Sequence, residues 1–137
     1  MNSKAVAVMC LLGAFLLNYS DKHIAGPINP RSPVPGSGLH VLIVEDRSHR
    51  RDLPPSQFDA MMSADVDELI RGVGGHKYLY DQNQDVSGKD DPWVQNAMRV
   101  KRDKLPWMVL DKDGNGTSEA FATTPREFKA VVQKYIK

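Results

Sequence analysis

Few residues in this 137-residue chain are equipped for chemistry, and most of them stand far apart. The one cysteine, Cys10, lies inside an apolar stretch. A single sulfur makes no intramolecular disulfide, no cysteine-based zinc site and no dithiol redox pair. The four histidines, His23, His40, His49 and His76, show no His-Glu-x-x-His or other zinc spacing. No Gly-x-Ser-x-Gly elbow and no phosphate-binding loop is present. Gly72-Val73-Gly74-Gly75 ends a helical stretch instead of opening one, so it aims no helix N–H groups at a phosphate.

Two oxygen-rich stretches remain. Asp111-Lys112-Asp113-Gly114-Asn115-Gly116 opens like a calcium loop, but Ala122 stands where such a loop needs a bidentate glutamate. A hairpin turn is the expectation there. Asp81, Asn83, Asp85 and Ser87 form the second stretch, with Val86 where a calcium loop needs glycine, and read as a polar turn. No metal and no cofactor is expected.

The densest cluster is Glu45 to Asp52, Glu-Asp-Arg-Ser-His-Arg-Arg-Asp, read as a solvated loop at a strand end. His49, Arg50, Arg51 and Asp52 lie inside it. Arginine presents a planar donor fork suited to carboxylates and phosphates. The same residues can equally be a charged loop that faces water. The near-zero net charge of +1 offers no basic excess for a nucleic-acid partner.

The elements that must position this loop follow from hydrophobic pattern. Leu39 to Val44 is a short, β-branched apolar run, the pattern of a strand buried on both faces. Pro55 or Ser56 starts a helix with Phe58, Met61 and Met62 at helical spacing. Ser63 precedes Asp65-Val66-Asp67-Glu68-Leu69-Ile70, a second helical piece with carboxylates at its positive end. His76 to Tyr80 alternates as a strand. Pro92-Trp93 opens a helix through Val100, with Trp93 in the core or stapling the helix start. Trp107 to Leu110 and the segment after the glycine-rich turn form a hairpin, with Pro106 at its mouth. Thr123 or Thr124 caps a last helix whose first position is Pro125 and whose stripe is Phe128, Val131, Val132, Tyr135 and Ile136. The order is β-α-β-α-β-β-α, an α/β domain with a central mixed sheet flanked by helices.

Three regions are expected. Residues 1–20 carry Lys4 ahead of the apolar run Ala5–Leu17, read as a signal peptide or as a membrane anchor. The run is shorter than the about 20 apolar residues of a full span. It is expected to form an N-terminal apolar helix. Residues 21–38 hold Pro27, Pro30, Pro33 and Pro35 among glycines, a semi-rigid tether. Residues 39–137 form the folded domain. An exported or membrane-tethered location follows from this order.

Over residues 39–137 the chain resembles the thioredoxin fold. Val41-Leu42-Ile43-Val44 resembles its first core strand and Tyr80-Asp81-Gln82-Asn83 its second-strand exit. Leu105-Pro106 stands where that fold carries a cis-proline, and the Phe128-to-Ile136 helix completes the order. The chain is also similar to small thioredoxin-like proteins, many from bacteriophages, that carry a Leu-Pro-Trp segment. The family's Cys-x-x-Cys is absent: Arg47-Ser48-His49-Arg50-Arg51-Asp52-Leu53 occupies its place. Thiol–disulfide exchange needs a thiolate, so the resemblance implies the scaffold without the redox activity. It also implies that Pro106 and Trp107 face the His49 loop. The expectation is a redox-inactive binding module for a protein or peptide, with His49, Arg50, Arg51, Asp52, Pro106 and Trp107 as the site and no catalytic residue. The alternatives are a thiol-independent enzyme or chaperone using the His49–Asp52 loop, or a structural component of a virion or envelope.

Overall fold

A computed structural model describes residues 38–88 and 91–137. The signal or anchor expected at 1–20, its apolar helix, Cys10 and the tether up to residue 37 lie outside the described residues. No helix among the described residues is long and apolar enough to cross a membrane.

Among the described residues four strands form one mixed sheet: β1 (Leu39–Glu45), β2 (His76–Asp81), β3 (Trp107–Lys112) and β4 (Asn115–Ala120). Their spatial order is β2-β1-β3-β4. β1 runs parallel to β2 and antiparallel to β3, and β4 pairs antiparallel with β3. Every residue of β1 is buried, because helices cover both faces of a strand that has neighbours on both edges. The expectation of an α/β domain with a mixed sheet flanked by helices holds for the described residues.

Among the described residues four α-helices cover the sheet: α1 (Pro55–Met61), α2 (Ala64–Gly72), α3 (Pro92–Met98) and α4 (Pro125–Ile136). On one face Leu39, Val41 and Ile43 of β1 pack with Ala60 and Met61 of α1, Val66 and Ile70 of α2, and Phe128 and Val132 of α4. On the other, Leu42 and Val44 pack with Trp93, Val94 and Ala97 of α3. The alternation along β1 thus feeds two cores from one strand. Phe58 and Met62, expected on the α1 stripe, are exposed.

Caps fix the helix starts. Thr124 accepts from the Glu127 N–H, while the Glu127 carboxylate accepts from the Thr123 N–H and hydroxyl. This box, followed by Pro125 at the first helical position, satisfies donors that the helix leaves open. Asp91 caps α3 through the Trp93 N–H. That helix ends at Met98, earlier than the sequence pattern extends.

The hairpin is tighter than the composition of its turn implies. β3 continues through Asp111 and Lys112, and only Asp113 and Gly114 make the turn, at φ of 53° and 84°. Positive φ at both central positions suits the right-handed twist of the flanking strands. Asp111 is therefore a buried strand residue, not a turn residue. The Asp113 carboxylate takes Lys112 Nζ and, at 2.7 Å, the Gly38 N–H, and these contacts hold it below the usual carboxylate range.

The solvated loop expected over Glu45 to Asp52 is corrected at both ends. Glu45 is the last residue of β1 and is 0% exposed. Arg47–Asp52 winds into a 3-10 helix capped by Asp46, whose side chain accepts from the Ser48 N–H at 2.9 Å.

Candidate functional site

The carboxyl ends of the two parallel strands lie at one edge of the molecule, where open α/β sheets form their crevices. Their exits are tied together by main-chain donors. The Gln82 N–H donates to the Glu45 carbonyl at 2.8 Å, and the Arg47 N–H donates to Asp81 Oδ2 at 2.9 Å. Asp81 Oδ1 accepts from the Asn83 N–H. The Arg47 N–H first, then the Asn83 N–H, lowers the Asp81 pKa. The second oxygen-rich stretch is thus folded on itself, as is Asp85 with Ser87. Among the described residues, no three His, Cys, Asp or Glu side chains group as metal ligands.

Asp46 sits at the centre of this edge. Its Oδ2 meets His49 Nδ1 at 2.9 Å and accepts from Gln82 Nε2 at 3.0 Å. Its Oδ1 accepts from the Ser48 hydroxyl and N–H. Hydrogen bonds from Ser48 and then His49 lower its pKa to about 2. The same pair raises the His49 pKa, first by the hydrogen bond and then by the charge of Asp46.

Ser48 Oγ also lies 3.0 Å from His49 Nδ1. Serine, histidine and aspartate are therefore in contact, but not as a nucleophilic triad. A triad places the hydroxyl on one ring nitrogen and the carboxylate on the other. Here both address Nδ1, and the Ser48 proton is directed to Asp46. What the cluster can do is hold His49 in one orientation and favour its protonated form. Nε2 is left to exchange a proton or donate to a ligand.

His49 and Pro106 line one open cavity of about 220 Å³, together with Asp46, Leu53 and Leu105. The Leu105–Pro106 peptide bond is cis, and the Pro106 carbonyl accepts from the Phe121 N–H at 3.0 Å. The His49 side chain is 71% exposed, whereas Pro106 is buried. The result is an apolar floor of Leu53, Leu105 and Pro106 beside the Asp46–His49 pair.

The other expected site residues are placed differently. Arg50 turns inward, and its Nε donates to Glu45 Oε2 at 2.8 Å while Nη2 meets Oε1. This bidentate clasp on a fully buried carboxylate raises the Arg50 pKa and commits its donor fork. Arg51 and Asp52 are exposed and do not line the cavity. Trp107 packs toward Leu42, Val44 and Val109 on the α3 side, and its Nε1 donates to Ser118 Oγ at 2.8 Å. It does not line the cavity, although Leu105 of the cavity packs against the same core.

Asp46, Leu53, Gln82 and Leu105 are contributors that the sequence reading did not single out. An aspartate immediately before a short helix, three residues ahead of a histidine, is a capping signal that points to Asp46. Nothing local signals Gln82, which reaches Asp46 from the neighbouring strand exit.

No protein-family model, curated protein or solved structure matches this chain.

Proposed function

We infer that this chain is a thioredoxin-like binding module without redox activity, exported or membrane-tethered through Ala5–Leu17, that takes a protein or peptide segment at the His49–Pro106 cavity. The observation that carries this reading is the cavity itself. It joins the segment after β1 to the residue just ahead of β3, and on the thioredoxin resemblance His49 stands in the segment that would carry sulfur. The strand order β2-β1-β3-β4, with a proline ahead of the antiparallel hairpin, supports the thioredoxin-like assignment.

An apolar floor beside a proton-bearing imidazole suits one side chain and one polar group of an extended peptide. Arg50 leaves the proposed site, since its guanidinium serves Glu45. His49, Leu105 and Pro106 remain as the contact residues.

The test has two parts. The full-length chain should reduce no insulin disulfides, and Cys10→Ser should change nothing in any measured activity. Cysteine-dependent turnover would end this reading. His49→Ala should weaken peptide capture at least fivefold at pH 6, with the unfolding midpoint close to that of the parent. Unaltered capture would make the loop ordinary surface. Fractionating cells that express the full chain or a version starting at Gly38 tests the tether, because only the full chain should sediment with membranes.

A further inference from the structure

Beside the His49 cavity lies a second, larger one of about 400 Å³. It is lined by Gln82, Val100, Leu105 and the run Lys101, Arg102, Asp103, Lys104. Leu105 lines both cavities. Gln82 lines the second and donates to Asp46 of the first. The two hollows therefore form one strip along the carboxyl edge of the sheet.

Charge on the lining of the second cavity is unbalanced. Lys101, Arg102 and Lys104 oppose one carboxylate, Asp103. Among the described residues, none of the three cations forms an ion pair. Arg102 carries the argument. It is half-buried, its Nη1 donates to the Met98 carbonyl at 2.8 Å, and burial pushes its pKa down. A guanidinium taken partly out of water without a counter-ion gains most from an anion brought to it. Its fork leaves further N–H groups beyond the one used by Met98.

We propose that this second cavity selects acidic peptides, with Arg102 receiving a carboxylate side chain of the segment whose neighbour occupies the His49 cavity. The proposal rests on the reading of the His49 cavity as a peptide site and names the chemistry of the peptide. A nucleic-acid strand fits less well, because the lining has no aromatic side chain on which a base could stack. Lys101 and Lys104 add long-range attraction at the rim, where salt weakens it.

The experiment pans a nine-residue random peptide library over the immobilised full-length chain. Enriched peptides are then synthesised in two forms, one with every Asp and Glu and one with the matching Asn and Gln. Fluorescence polarisation measures both against the parent, Arg102→Gln and Lys101→Gln/Lys104→Gln. The expected result is enrichment of Asp and Glu, at least tenfold weaker binding of the amide forms, and loss of that preference in Arg102→Gln. The lysine pair should lower acidic-peptide affinity several-fold and flatten its salt dependence. Because both lysines are exposed, that variant still reports if Arg102→Gln fails to fold.

Enriched peptides that bind the parent equally in acidic and amide form would overturn the acidic selection and leave the peptide site standing. An acidic preference that survives both variants would do the same. No enrichment at all would overturn the peptide reading and this inference together. Full displacement by inorganic phosphate at matched ionic strength would identify a small-anion site and end the proposal.

Discussion

Removing the Arg50 guanidinium tests whether this residue is structural. Glu45 is 0% exposed at the end of the central strand, and its carboxylate is clasped by Arg50, whose side chain is 34% exposed. Arg50→Ala leaves that carboxylate with Arg47, whose Nε is 3.8 Å away and whose side chain is 55% exposed. Breaking a buried ion pair from one side costs about 3–5 kcal/mol. Partial exposure of Arg50 and the substitute offered by Arg47 lower the expectation to about 2–3 kcal/mol. For a domain of about 100 residues this shifts the unfolding midpoint down by about 10–20 °C. Thermal and urea unfolding of the full-length chain, followed by tryptophan fluorescence, reads the change. Arg51→Ala is the control and should stay within about 0.5 kcal/mol of the parent, because its side chain is exposed. Glu45→Leu/Arg50→Met should recover most of the loss, since an apolar pair of similar volume leaves no carboxylate behind. An Arg50→Ala protein as stable as the Arg51→Ala control would refute the reasoning and return Arg50 to the candidate binding groups.

Further expectations concern the loop, the hairpin and the last helix. The raised His49 pKa means that its bond to Asp46 stabilises the fold fully below pH about 6.5 and fades as pH rises through the folded value. The Asp46 contribution is complete above about 3.8 and fades as pH falls through about 2, so the pair is fully formed between about pH 4 and 6.5. Proton NMR titration should place His49 above the ordinary histidine value, and Asp46→Asn should bring it back. Gly116→Ala should destabilise by about 1–3 kcal/mol or more in urea unfolding, because its Cβ would stand 2.0 Å from the Leu110 carbonyl oxygen. A neutral result would disprove that approach. Thr124→Ala removes the α4 cap and should cost about 1 kcal/mol, seen as a lower unfolding midpoint.

Much of the scaffold could be read in one dimension. The apolar run Val41 to Val44 of β1 signals a strand with neighbours on both sides, and burial of those residues follows. Thr124, Pro125 and Glu127 lie within four positions of each other, so the α4 start is a local code. The site was only half legible. His49 and Pro106 were paired through the resemblance, and they do line one cavity. Arg50 turns to Glu45 and Trp107 to Ser118, and nothing local says which way either side chain turns. Nothing local in the run Lys101 to Lys104 signals that it lines a cavity.

The chain by itself determines the elements, their caps, the absence of a second cysteine and the near-zero net charge, because these depend on residue type and on spacings of a few positions. Packing alone decided the roles within the charged stretch. Glu45 counts as a surface residue by its neighbours in sequence, yet at the end of β1, paired with Asp81 of β2, it is 0% exposed, and a carboxylate in that position gains from a cation. Arg50 is that cation. His49 was left outside because Asp46 at the start of the 3-10 helix holds its ring toward the cavity edge. Water was excluded from one carboxylate and not from the other a residue away, and that difference arises from contacts between segments distant in the chain.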